Sequence, residues 1–114
     1  DALARFETMV GIGMPNMGDK SIRETIARAL DAIIQQERLV DGSRRVMSIT
    51  EVTGMEGPVI TSQDIFLFEQ RTIDEHGKVR GAFRATGIRP RFASRLSANG
   101  IRLSPELFRF EMEV

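Results

Sequence analysis

Several groups of residues in this 114-residue sequence have the types and spacing that chemistry needs. The run GMPNMGDKS, Gly13 to Ser21, sets two glycines ahead of a Lys and a Ser, in the manner of a phosphate-cradling loop. Such a loop needs its Lys directly after the second glycine and a buried strand before the first, so that backbone N–H groups and the ammonium meet on one phosphate. Here Asp19 separates Gly18 from Lys20, and Pro15 removes a donor. The segment reads as a connection between helices. His76 is the single histidine and follows Asp74 and Glu75, with no second His or Cys to complete a metal site. It reads as a solvated loop residue. Glu51 and Glu56 could approach each other across a turn, but no substrate cleft is legible around them, and pairing with Arg44 or Arg45 is the simpler expectation.

Charge supplies the remaining group. Between Gly77 and Pro105 there is no Asp or Glu, whereas Lys78, Arg80, Arg84, Arg89, Arg91, Arg95 and Arg102 give a local charge of plus seven. Three explanations compete: a solvated face balanced by carboxylates folded against it, a docking surface for an acidic patch on a neighbouring subunit, or an anion or nucleic-acid site. The third lacks support, because the chain has no Tyr or Trp to stack on bases. The candidates for contact are Arg44, Arg45 and Glu51 in the central segment and Arg84, Arg89 and Arg91 in the basic stretch. No catalytic, cofactor-binding or metal-ligating residue is assigned.

The elements that must position these residues follow from pattern. Leu3, Phe6 and Val10 form one stripe of a helix that Gly11 and Gly13 should end. Ser21 and Glu24 fit a capping box for a second helix with Ile22, Ile26, Ala29, Leu30 and Ile33 on one side. Ile33 to Val40 and Val46 to Val52 read as strands joined at Asp41-Gly42, a strong hairpin signal. After Gly57-Pro58, a helical turn through Ile65, capped by Thr61 or Ser62, should give way to a strand from Leu67 to Ile73. Lys78 to Thr86 alternates as a further strand. Pro90 suits the first turn of a helix carrying Phe92, Ala93 and Leu96, closed at Gly100 with Leu96 and Ile101 placed for a Schellman motif. Ser104-Pro105-Glu106 should start one last turn with Leu107 and Phe108, and Phe110 to Val114 shows no clear pattern and is expected to fray.

Composition bounds the rest. The 12.8 kDa chain is one domain's worth, able to bury roughly two thirds of its unfolded surface. Zero formal net charge and 41% hydrophobic residues describe a globular chain without an overall pull toward nucleic acid or membrane. The absence of cysteine rules out disulfides and thiolate ligands. No apolar run reaches the roughly 18 residues of a spanning helix. A cytoplasmic location is the resulting expectation.

The run IIQQERLVDGSRRVMSITEVTGMEG, followed by ITSQDIFLFEQ and GAFRATGIRPRF, resembles the C-terminal part of the Tad/Flp-type pilus assembly ATPases, members of the type II/IV secretion ATPase superfamily. The resemblance extends from about Leu3 to Phe108. It implies the C-terminal portion of a RecA-like motor whose P-loop and catalytic motifs lie upstream, with ATP and Mg expected for the parent protein and none for this segment. It further implies a hexamer of neighbouring copies at the inner face of the bacterial inner membrane, contacts with inner-membrane secretion or pilus platform proteins, and neither nucleic acid nor direct membrane insertion. His76 is not the motor's catalytic histidine under this resemblance.

The expected architecture is an α+β domain over residues 1–108, with two N-terminal helices, an antiparallel sheet of about four strands and a C-terminal helix, followed by a tail at 109–114. The alternative function is a stand-alone interaction module that binds an acidic partner through the Arg-rich stretch 78–102. Apolar surface that a larger core would cover is expected to drive self-association or strand exchange.

Overall fold

A computed structural model describes residues 2–114. Two helices, α1 (Ala2–Gly13) and α2 (Asp19–Ala29), precede four strands, β1 (Ala32–Arg38), β2 (Arg44–Glu56), β3 (Val59–Ile73) and β4 (Val79–Ala85). A short helix α3 (Phe92–Ala98), a 3₁₀ turn at Pro105–Phe108 and a last strand β5 (Glu111–Glu113) complete the chain. All strand pairs are antiparallel and their order is that of the sequence, β1-β2-β3-β4-β5, so the expected α+β layout is present with one strand more.

Tertiary pairing moved several boundaries. Residues 63–66, expected as a helical turn, lie inside the fifteen-residue β3. Glu51 pairs with Gln63 and Ile49 with Phe66 on one side, and Phe66 pairs with Ala85 on the other, so ladders on both sides hold the segment extended. Ser21 does not cap α2. The helix begins two residues earlier behind Gly18, where Ile22 N–H bonds the Gly18 carbonyl at 3.0 Å, and the Ser21 carbonyl instead accepts the Thr25 hydroxyl. Helix α1 runs through Gly11, where a Cβ would stand 3.7 Å from Ile22 Cδ1 of α2, and ends at Gly13, the second of the two glycines expected to close it. The stretch Phe110 to Val114 does not fray. Val114 and Gly81 exchange two backbone hydrogen bonds, and Ala85 N–H bonds the Phe110 carbonyl, which holds Glu111–Glu113 as an edge strand on β4.

The helix end at Gly100 forms as expected. Ile101 N–H reaches the Leu96 carbonyl at 2.9 Å and Gly100 N–H the Ser97 carbonyl at 3.1 Å, with Gly100 at φ 83°, a left-handed conformation that side chains with a Cβ resist. Ser104 likewise accepts the Glu106 N–H and starts the 3₁₀ turn.

Successive residues of a strand point to opposite faces, which places the helices on either side of the sheet. Thr50 lines a groove with Ala2 and Leu3 of α1, whereas Glu51 contacts the start of α3. On the α3 side Ile65, Phe66, Ala93 and Phe108 form the buried core. An irregularity opposite Ile49-Thr50 lets adjacent Ile65 and Phe66 both enter it. Phe66 is the hub, with the rings of Phe83, Phe108 and Phe110 centred 5.6, 6.3 and 5.6 Å from its own. Such side chains contribute roughly 1.5–3 kcal/mol each when fully buried. Helix α2 lies against β2 and β3 and buries Ile22 and Ile26.

Candidate interface

The six contact candidates do not form one surface. Glu51 is buried at 3% exposure and pairs with neither Arg44 nor Arg45, contrary to expectation. Its Oε1 accepts Arg91 N–H at 2.9 Å and Gln63 Nε2 at 2.8 Å, and its Oε2 accepts Phe92 N–H at 2.9 Å. No side chain within α3 caps that helix. The carboxylate of β2 therefore satisfies N–H groups at the mouth of α3, forty residues away. Arg91 extends the junction: its Nη1 lies 3.4 Å from the Thr53 carbonyl. Two candidates drawn from distant motifs thus meet here, for a structural reason.

Arg44 and Arg45 sit at the other end of β2. Arg45 Nη2 donates to the Val79 carbonyl at 3.2 Å, and its guanidinium lies 5.9 Å from the centre of the Phe68 ring. Asp41, at the β1–β2 hairpin tip, accepts Val79 N–H at 2.8 Å through Oδ2, and Ser43 N–H at 2.9 Å through Oδ1. Both polar groups of the fully buried Val79 peptide are thus claimed by residues next to β2, although β3 separates β2 from β4. The hairpin must fold across the end of β3, and the sheet curls there. The Ser43 hydroxyl first, then the Val79 and Ser43 N–H groups, hold the Asp41 carboxyl far below the usual carboxylate range. The local half of this arrangement was legible, since Asp-Gly-Ser is a turn in which Asp bonds the backbone two residues on. The reach to Val79 was not.

Gly81 completes this end. A Cβ on it would lie 2.2 Å from the Glu69 carbonyl oxygen and 2.9 Å from Phe68 Cζ, so only glycine lets the Phe68 ring lie over β4. Beside the ring opens a cavity of about 310 Å³, with Ile49, Phe68, Phe83 and Met112 among its apolar lining and Arg44 and Arg45 among its polar one.

The basic stretch is balanced in part by carboxylates from elsewhere. Arg84 bonds Glu69 at 3.0 Å, Arg80 bonds Asp74 at 2.8 Å and Arg95 bonds Asp31 at 2.6 Å. Arg84 lowers the Glu69 carboxyl, and Asp31 raises the Arg95 guanidinium. Asp74 is lowered chiefly by the Lys78 N–H, with which it ties the β3–β4 loop. Arg71, outside the stretch, pairs with Glu111 of β5, which raises it. Lys78, Arg89 and Arg102 are exposed and make no ion pair among the described residues.

His76 is exposed in the β3–β4 loop, 3.5 Å from Glu75. No group of three or more acidic or histidine side chains among the described residues is placed to hold a metal ion. Gly13 ends α1 and Asp19, Lys20 and Ser21 lie in α2, so only residues 14–18 of the GMPNMGDKS run connect the two helices. Among the described residues no helix is long and apolar enough to cross a membrane. No protein-family model matches the chain, and no curated protein matches it in sequence.

Proposed function

We propose that this chain is the C-terminal segment of a hexameric cytoplasmic ATPase that powers assembly of Tad/Flp-type pili or type II/IV secretion. Its part is subunit packing and mechanical coupling, with ATP and Mg bound by upstream motifs of the parent protein and with inner-membrane platform proteins as partners. The resembling runs support this reading. DGSRR holds the hairpin tip, ITEVTGMEG is the second half of β2 with its turn, and GAFRATGIRPRF runs from β4 into α3.

The observation that carries the reading is the apolar surface left on α1. Phe6, Met9 and Ile12, with Met14 just beyond, are 39, 60, 78 and 52% exposed, and no residue of the helix is buried. The Cα radius of gyration is 17.0 Å, against roughly 13 Å for a compact domain of this length. An elongated chain with an uncovered amphipathic helix is a part that a larger body would complete. Force applied at one end would cross a sheet pinned at both: Asp41 and Arg45 hold Val79, and Glu51 holds α3.

The test is the size of the native polypeptide in its source cells, read with an antibody against this segment. A band several times larger than 12.8 kDa is expected, and ATP turnover by the purified 114 residues alone is not. A second reading, a free-standing module for an acidic partner, is favoured only by the unpaired Lys78, Arg89 and Arg102 within 78–102. A native band near 12.8 kDa would select it.

A further inference from the structure

The cavity beside Phe68 combines an apolar lining with cationic groups that lack anions. Arg44 is exposed and makes no ion pair among the described residues. Arg45 is half-buried, donates one hydrogen bond to a neutral carbonyl, and its Nε is buried with no partner. A guanidinium carries five N–H donors in a planar fork suited to a carboxylate, and a buried donor without an acceptor is costly. Glu37, opposite Arg45 across the β1–β2 ladder, accepts from Gln35 at 3.2 Å and forms no ion pair with Arg45. Arg38 stands directly opposite Arg44, a like-charge pairing that an antiparallel ladder disfavours. Arg38, Arg44 and Arg45 thus stand at one end of the β1–β2 hairpin, and none of the three makes an ion pair among the described residues. Asp41, at the tip of the same hairpin, is committed to Ser43 and Val79.

We propose that this cavity docks an acidic segment of a protein partner, seating one bulky apolar side chain against Ile49, Phe68 and Phe83 while flanking carboxylates pair with Arg44 and Arg45. The volume of about 310 Å³ suits a side chain and not a whole helix. Charge complementarity chooses the partner's sign: an acidic segment relieves the Arg38–Arg44 repulsion, and a basic or neutral one leaves it. The cations of this site, Arg44 and Arg45, lie outside the stretch 78–102, and the site stands whether or not the chain belongs to a motor.

The experiment is fluorescence anisotropy of the full 114-residue chain with a fluorescein-labelled peptide, GSEEFLEGS, at low and high salt. Two comparison peptides replace the glutamates by glutamine or the Phe-Leu pair by alanine. Saturable binding to the first peptide is expected, weakened about tenfold or more by either replacement and by high salt. Arg44→Glu, which removes no hydrogen bond of the fold, is expected to weaken binding by a similar factor. Arg45→Met tests the second cation, with its melting curve recorded alongside to separate lost binding from lost folding. Absence of saturable binding, equal binding of the glutamine peptide, or binding indifferent to Arg44→Glu would each overturn the proposal.

Discussion

The two ends of the sheet are pinned by the same device in different surroundings. At one end the Glu51 carboxylate accepts backbone N–H groups at the start of α3, and at the other the Asp41 carboxylate accepts the Val79 N–H at the start of β4. Each ties the β1–β2 half of the chain to the half that follows β3. Glu51 is buried and shares its oxygens with Gln63, so removing it leaves three donors without an acceptor and little water to replace it. Asp41 is half-buried at a hairpin tip, where water can enter. Burial, and not the number of bonds, should therefore rank the two junctions.

The sharpest test is Glu51→Ala, expected to cost about 3 kcal/mol in urea denaturation, with Glu51→Gln costing roughly half as much because one acceptor survives. A loss no larger than that of the Asp41 variant would break the comparison. Next comes Gly81→Ala at the Asp41 end. Its methyl group would meet the Glu69 carbonyl and the Phe68 ring, and the strain should cost about 2 kcal/mol by the same measurement.

Asp41→Ala sharpens the contrast through pH. Because folding holds this carboxyl below its ordinary value, its contribution is fully present above the unfolded value of about 3.9 and is lost as pH falls below it. The variant is expected to melt earlier than the parent at neutral pH, with the gap narrowing as pH falls below about 4 and closing only once the folded carboxyl itself is protonated. A gap that stays constant across that range would mean the charge is irrelevant to the junction. The smallest effect belongs to Arg95→Ala. Its 2.6 Å pair with Asp31 lies near the Glu51 end but is exposed on both sides, and a melting temperature indistinguishable from the parent is expected.

Local chemistry was legible where a few neighbouring residues decide the backbone. Asp41-Gly42 marked a hairpin, Asn99-Gly100 a helix end and Ser104-Pro105 a turn, because each acts on hydrogen bonds within six residues. The alternation from Lys78 to Thr86 likewise marked β4. Propensity failed at residues 63–66, where neighbouring ladders override a cap signal, and at Phe110 to Val114, where the partner strand supplies an order that the segment lacks by itself.

The candidate residues divide along the same line. Sequence alone determined that the chain is α+β and that it has no cysteine, and it singled out Arg44, Arg45, Glu51, Arg84, Arg89 and Arg91 as candidates for contact. Only the tertiary structure decided their tasks: Glu51 holds α3 and not an arginine, Arg84 is neutralised by Glu69, and Arg45 lies by Phe68 with a donor to spare. The physical reason is reach. A pattern in sequence reports forces between residues a few positions apart, whereas Asp41 to Val79 and Glu51 to Phe92 are bonds across 38 and 41 positions, made only once the sheet has curled.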